Sequence, residues 1–172
     1  MRQRGVIGRG GASLDELEAL YRGRFEVFAR VAASVTGDAE RGRDAVQDAF
    51  ATAVSRRRSF RGDGPLEAWV WRIVLNGARS DVRRRVPSAN GDEHMNGNGN
   101  GNRNGHPEHD AELRIALARL PERQRTAVFL RYYADLSYAS IGEALGITEG
   151  TVAATLNAAL TTLRTRLQEV RT

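Results

Sequence analysis

Four polar side chains near the middle of the chain, spaced four, three and four residues apart, have the chemistry to bind nucleic acid. On a helix this spacing forms one stripe. Arginine contacts phosphates and releases counterions, and asparagine can pair with the edge of a base. A stripe that only keeps the helix soluble is the alternative interpretation. The four residues are Arg72, Asn76, Arg79 and Arg83.

Trp71 adds an aromatic ring beside this stripe. We predict that it projects away from the core face of its helix, where an exposed indole can stack on an unpaired base. Packing of Trp71 on a neighbouring loop is the alternative. The residues predicted to face the core are Leu66, Trp69, Ile73, Gly77 and, near the end of the helix, Val82.

Histidine and acidic residues, the types that bind zinc, gather in one Gly-rich stretch. That stretch has no scaffold to fix a coordination geometry, so neither a metal site nor a cofactor is predicted. The sequence also has no Gly-rich phosphate loop, no Ser/His/Asp set and no positioned carboxylate pair, which argues against an enzyme. The histidines are His94, His106 and His109.

The positive charge is concentrated in the N-terminal part of the chain. All 26 basic residues are arginine, and residues 1–86 carry 17 of them against 11 acidic residues. The net charge is −3 over residues 87–110 and +2 over residues 111–172. Arginine forks two hydrogen bonds onto phosphate or guanine, which suits nucleic acid. A GC-rich genome that favours arginine codons is the alternative cause of the bias.

Cysteine is absent from the 172 residues, which excludes a disulfide framework and a thiolate metal site. No apolar run approaches the roughly 18 residues of a membrane span. The N-terminus also lacks the apolar core of a signal peptide. These features predict a cytoplasmic protein without a membrane span.

Apolar residues at steps of three and four predict an all-α protein of two small helical domains joined by a flexible linker. Ser13 and Glu16 form a capping box at the start of the first helix. A second helix follows Gly37 and Asp38, and Pro65 opens a third. The first domain is therefore predicted over residues 14–86, after a mobile tail of residues 1–13.

The linker is predicted over residues 87–110, where Asn and Gly alternate. A flexible segment of about 20 residues spans roughly 25 Å, so the flanking domains can act at separate places. Asn-Gly pairs can also form hairpin turns, but no alternating apolar strands flank them.

The second domain is predicted over residues 111–172 and ends in a helix-turn-helix. One helix stops at Pro121, and residues 122–133 form another. Ser137 then caps a helix that Gly146 ends, and Thr148 caps the last helix. The inward residues of the last helix are Val152, Leu156, Ala159, Leu163, Leu167 and Val170.

Two stretches resemble conserved regions of the extracytoplasmic-function (group IV) sigma factors of the sigma-70 family. Residues 39–85 resemble the second region, with D-x-x-Q-D-x-F from Asp44, F-R-G from Phe60, a tryptophan at Trp69 and N-x-x-x-x-D-x-x-R from Asn76. The segment LARLPERQRTAVFLRYYADLSYASIGEALGITEGTV resembles the fourth region. Together the two resemblances cover nearly all of the chain outside the tail and the linker.

This resemblance implies a promoter-reading subunit of RNA polymerase. The second-region domain would bind the polymerase clamp and open the −10 element of the promoter. The fourth-region domain would bind the polymerase flap and read the −35 element, with the linker near the active-site channel. An anti-sigma factor is a further implied partner.

The resemblance also assigns residues to these surfaces. Asp44 and Asp48 share a helix face opposite the apolar one, and an acidic face on a basic domain suits a basic partner surface. An ordinary solvated face is the alternative. The implied clamp residues are Asp44, Gln47, Asp48 and Phe50. The implied −10 residues, including the loop that captures a flipped base in the family, are Phe60, Arg61, Trp71, Arg72, Asn76, Arg79, Arg83 and Arg84. Leu75 departs from the family, which usually has arginine there.

The last helix departs most from the family pattern. Recognition helices read bases with N-terminal residues that face away from the core. The family usually carries lysine or arginine at three positions that are here Ala153, Thr155 and Ala158, so the electrostatic grip on DNA is predicted to be weak. The remaining −35 candidates are Arg125, Arg131, Thr151, Thr155 and Asn157.

Two other functions stay open at this point. A sigma-like regulator would bind polymerase or an anti-sigma factor with weakened −35 recognition. An ordinary helix-turn-helix repressor would bind a palindrome as a dimer and would not need polymerase.

Overall fold

The computed structural model describes residues 11–85 and 107–169, and every regular element within these ranges is helical. This confirms the predicted all-α fold. Most of the predicted tail and of the predicted linker, and the histidine side chains, lie outside the described residues. Two bounds are corrected: Ala12, placed in the mobile tail, is buried and its N–H donates to the Arg57 carbonyl at 2.8 Å, and residues 107–110, placed in the linker, belong to the helix Pro107–Ala118 because it begins before the predicted domain boundary. No helix in the described ranges is long and apolar enough to cross a membrane. The α-helices are α1 (Leu14–Thr36), α2 (Ala39–Arg56), α3 (Leu66–Arg85), α4 (Pro107–Ala118), α5 (Glu122–Val128), α6 (Tyr138–Leu145) and α7 (Glu149–Glu169).

The first helices begin and end at the predicted residues. The Ser13 backbone N–H donates to Glu16 Oε2 at 2.8 Å, and the Glu16 N–H donates to Ser13 Oγ at 3.1 Å. These hydrogen bonds lower the pKa of the Glu16 carboxyl below its ordinary value. Gly37 ends α1 with φ of 78°, a conformation that glycine adopts readily. Asp38 then caps α2 by accepting from the Arg41 N–H at 2.9 Å.

Helices α1, α2 and α3 form the N-terminal domain around an aromatic core. Phe28 packs on Trp71 with ring centroids 4.1 Å apart and on Phe50 at 5.4 Å. Helices α1 and α2 approach closely at Gly42, where a Cβ atom would lie 2.6 Å from the Ala29 carbonyl oxygen. Glycine is needed there because any side chain would collide with the backbone of α1.

Helices α4 to α7 form the C-terminal domain and contain the predicted helix-turn-helix. Ser137 Oγ accepts from the Ser140 N–H at 3.1 Å to cap α6, and Gly146 ends that helix with φ of 68°. Thr148 Oγ1 accepts from the Thr151 N–H at 3.2 Å at the start of α7. The inward row of α7 is confirmed at Val152, Leu156, Ala159 and Leu163, which are buried, whereas Leu167 is partly buried and Val170 lies outside the described residues.

The two domains pack against each other, which the sequence did not predict. Helix α6 lies against α3, and α5 lies against α1. Phe28 and Leu75 of the N-terminal domain belong to the same buried apolar cluster as Leu130, Ile141 and Leu156 of the C-terminal domain. The domains therefore share one continuous core in this structure, although the sequence predicted units that can act apart.

Candidate nucleic-acid interface

The polar stripe lies along α3 at the edge of the contact between the domains. Three of its four side chains are exposed, and Arg79 is the exception. Arg79 Nε donates to Glu122 Oε1 at 2.8 Å, and Glu122 stands in the first turn of α5. The Arg72 guanidinium lies beside Gly146 at the end of α6. The structure brings the stripe together as predicted, but part of it faces the C-terminal domain.

Trp71 is fully buried, so the predicted exposed stacking ring is wrong. Its ring packs on Phe28, and its Nε1 donates to Glu67 Oε1 at 3.2 Å. Trp69 and Ile73 form a second apolar row on α3, and the prediction took this partly buried row for the core face. The buried residues of α3 are Ala68, Val70, Trp71, Val74, Leu75 and Ala78.

Trp71→Ala should therefore unfold the N-terminal domain instead of removing only a DNA contact. Deleting a buried aromatic ring costs about 3–5 kcal/mol, which is a large part of the stability of a small protein. Trp69→Ala removes a partly exposed ring from the same helix and should cost less. Urea unfolding followed by circular dichroism measures both variants. An unchanged midpoint for Trp71→Ala would contradict the observed burial.

The loop before α3 carries the two residues implied to hold a promoter base. Phe60 packs on Trp69 with ring centroids 5.6 Å apart, and Arg61 is exposed. The carboxylate of Glu143, from α6, lies so close to Gly64 that a side chain at position 64 would collide with it. An acidic group of the C-terminal domain thus covers part of this loop.

Three of the four residues of α2 that were predicted to contact the clamp are exposed, as that role requires. Asp44, Gln47 and Asp48 are exposed on one side of the helix. The two aspartates line a groove of about 490 Å³ between α2 and the end of α3. Phe50 is buried against Phe28 in the core, so the prediction of Phe50 as a clamp contact is corrected to a packing role.

The arginines at the end of α3 form the other side of this groove. Arg84 and Arg85 approach Asp81 Oδ1 at 3.7 and 3.1 Å, and both remain exposed. Exposed pairs of this kind contribute little to stability. The two guanidinium groups therefore remain accessible to a polyanion.

The outward side of α7 offers few groups to DNA. The Thr155 hydroxyl donates to the Thr151 carbonyl at 2.7 Å, and the Thr151 hydroxyl bonds with Thr148 Oγ1 at 2.9 Å. Asn157 is exposed. Two of the three polar candidates on this helix are thus already engaged in local hydrogen bonds.

Arg125 is buried, so its prediction as a −35 contact is corrected. Its Nη1 donates to the Ala118 and Leu120 carbonyls at 3.1 and 3.2 Å, and its Nε donates across the domain contact to the Ser34 carbonyl at 3.1 Å. Burial lowers the pKa of the Arg125 guanidinium, and the nearby charge of Glu122 partly opposes this. The other predicted arginine, Arg131, donates to a backbone carbonyl ahead of α6 and stays only half-buried.

Comparison with known proteins places these features in a family. The models of Sigma-70 region 2 and of Sigma-70, region 4 match residues 20–86 and 110–163. The ECF RNA polymerase sigma factor SigL of Mycobacterium tuberculosis is 33% identical over 96% of this chain and 96% of its own. The ECF RNA polymerase sigma factor EcfG of Rhodopseudomonas palustris is 33% identical over 74% and 72%. The chain belongs to the extracytoplasmic-function sigma factors of the sigma-70 family.

Two solved structures share the fold of this sigma factor. The sigma factor RpoE of Bartonella quintana, solved with the anti-sigma factor NepR, has a TM-score of 0.70 at 21% identity and covers 90% of this chain and 98% of its own. CnrH, solved with the cytosolic domain of CnrY, has a TM-score of 0.68 at 22% identity and covers 92% and 91%. Both likenesses concern the fold and span both helical domains.

The residues that sequence reasoning missed lie where this sigma factor's two domains meet. Glu122 contacts the polar stripe, and Glu143 covers the loop before α3. In the sequence, a single acidic residue on a helix surface does not differ from an ordinary solvent-exposed residue, so no sequence signal marks either glutamate. Only the docking of the domains brings them to the candidate interface.

Proposed function

We propose that this sigma factor binds core RNA polymerase, directs it to a class of promoters and opens the −10 element by binding its separated strand. It works in the cytoplasm and performs no chemistry of its own. The observation that carries the proposal is the polar stripe on α3, three of whose four side chains are exposed. It follows the loop of Phe60 and Arg61 in a chain that carries both sigma regions in order.

The proposed clamp contact is the acidic row of α2. Asp44, Gln47 and Asp48 are exposed and aligned, while the buried side of the same helix packs in the core. An acidic row on a domain whose other exposed charges are mostly arginine gives a complementary surface for a basic partner.

The proposed −10 contact combines arginine, an amide and aromatic rings. Arg72, Arg79 and Arg83 supply phosphate contacts, and Asn76 supplies hydrogen bonds to a base edge. With Trp71 buried, the half-buried ring of Phe60 beside the exposed Arg61 takes its place as the stacking candidate.

Weakened −35 recognition is the second candidate, and the surface of α7 favours it. The positions where the family usually carries basic residues are Ala153, Thr155 and Ala158, and the Thr155 hydroxyl is engaged with the backbone. On this view, the protein still binds polymerase or an anti-sigma factor but makes few contacts to −35 DNA. An anti-sigma partner is proposed in either case, because RpoE of Bartonella quintana was solved with one.

Transcription by purified core polymerase tests the proposal. The sigma factor should support initiation, whereas a regulator would inhibit it and a repressor of the ordinary kind would have no effect. Arg79→Ala with Arg83→Ala should lower initiation by about tenfold or more, since each removes a charged contact. Asn157→Ala should have a smaller effect. The control is Arg22→Ala with Arg119→Ala, two exposed arginines outside both proposed DNA surfaces. Silencing by Asn157→Ala alone would contradict the assignment of most promoter contacts to α3.

A further inference from the structure

The motif N-x-x-x-x-D-x-x-R of α3 contains one acidic residue, Asp81, to which the proposed function gives no role. Its side chain is 21% exposed, whereas the side chains of Arg84 and Arg85, which follow it on the helix, are 75% and 58% exposed. Arg85 Nε donates to Asp81 Oδ1 at 3.1 Å, and Arg84 Nη2 lies 3.7 Å from the same oxygen. A half-buried carboxylate therefore holds two exposed guanidinium groups.

The stability of α3 does not account for an acidic residue at position 81. Aspartate is a poor helix former, and a negative charge near the C-terminal end of a helix lies on the unfavourable side of the helix dipole. The carboxylate of Asp81 is favourable there only through its pairs with Arg84 and Arg85, three and four residues further along the helix. Its position therefore points to a role that involves these arginines.

Asp81 stands where the two proposed surfaces of the N-terminal domain meet. It lines the groove between α2 and the end of α3, with Asp44 and Asp48 on the α2 wall and the two arginines on its own wall. In the part of the chain that the structure describes, Asp44 and Asp48 form no ion pair, and Asp81 is the only carboxylate that pairs with either arginine. Guanidinium groups that turned across the groove would neutralise the acidic row of α2 and would leave the DNA side.

We propose that Asp81 is a positioning residue, which keeps Arg84 and Arg85 on the DNA side of the groove and so keeps the acidic row of α2 free for the polymerase clamp. The inference rests on the proposed function, since it uses the clamp and −10 surfaces assigned there, and it adds Arg85 to the −10 surface. A side chain that is ordered before binding loses less conformational entropy when it contacts a phosphate. Exposed ion pairs are individually weak, so the pairing orients the arginines without withholding them from DNA.

Asp81→Asn tests the proposal, because it removes the charge and keeps the size of the side chain. The two readouts are the Kd for core polymerase and the rate of initiation at saturating sigma factor, which no longer depends on polymerase binding. Without Asp81 the arginines pair with the acidic row, so the Kd should rise and initiation should fall, each by about twofold to tenfold. Simple loss of a negative charge beside DNA has the opposite effect on initiation, because it strengthens the attraction to phosphates.

A double-mutant cycle separates positioning from a direct contact between Asp81 and polymerase. Asp81→Asn should raise the Kd for core polymerase in the parent protein, but should leave it unchanged in a variant that already carries Arg84→Ala and Arg85→Ala. Asp81→Glu keeps the charge and should retain most of both activities. An equal rise of the Kd in both backgrounds would show that Asp81 does not act through the arginines, and would overturn the inference.

The matched control is Glu40→Gln, which removes the same charge from an exposed position of α2 outside the groove lining. It should change neither readout, and circular dichroism should show the same helix content for both variants. Initiation by Asp81→Asn as fast as by the control, or faster, would also overturn the inference. If Arg84→Ala with Arg85→Ala leaves initiation of the parent protein unchanged, that result counts against the −10 surface of the proposed function instead.

Discussion

Reversing two charges, with Asp44→Arg and Asp48→Arg, should abolish co-purification of the sigma factor with core polymerase. Both side chains are exposed on one side of α2, so the helix should remain folded. Placing like charges across an interface costs several kcal/mol, and about 4 kcal/mol already weakens binding about a thousandfold. Pull-down on tagged core polymerase measures the loss, and circular dichroism measures the helix content.

The matched control reverses Asp15 and Glu18, which are exposed on α1 and belong to no proposed surface. This variant carries the same change in net charge and should still bind core polymerase. If the α2 variant binds as well as the control, the acidic row is an ordinary solvated face and the proposed clamp contact is wrong.

Arginines placed on α7 should strengthen the electrostatic attraction of this helix to DNA. The variant combines Ala153→Arg, Thr155→Arg and Ala158→Arg, of which Ala158 is the most exposed position. Each phosphate neutralised adds about 0.9 to the slope of log affinity against log salt, so the slope should steepen by up to about 3 units. Phosphate contacts position a protein without specifying a sequence, so mixed-sequence duplex DNA should show the gain as well.

Binding of the 172-residue chain to duplex DNA at several salt concentrations measures this change. Three arginines at exposed positions of the N-terminal domain, Ala19→Arg, Ala51→Arg and Ser55→Arg, control for the added charge. Strong, steeply salt-dependent binding of −35 DNA by the unmodified protein would contradict the weak grip assigned to α7.

Short-range interactions made the helices predictable. The capping box of Ser13 and Glu16, the left-handed Gly37 and Gly146, and the cap at Thr148 all act within three or four residues, and the structure has each of them where the sequence placed it. The inward row of α7 followed from its period for the same reason. Local chemistry was also enough to place the polar stripe on one side of α3.

Periodicity failed where one helix carries two apolar rows. On α3, Trp69 and Ile73 repeat as regularly as Trp71 and Leu75, so spacing alone could not choose the core face. Helix α1 decides which row is buried, because its Phe28 ring packs against Trp71.

The sequence by itself determined the helices, the order of the two sigma regions and the exposed polar residues that could bind DNA. Only the tertiary structure decided that the domains dock, that Arg125 is buried and that Glu122 binds Arg79. The hydrogen bond from Arg79 to Glu122 joins residues 43 positions apart, and the one from Arg125 to Ser34 joins residues 91 positions apart. No local sequence pattern specifies either pair. Such pairs form because burial of a shared apolar core brings the two domains together, and that core depends on the whole fold.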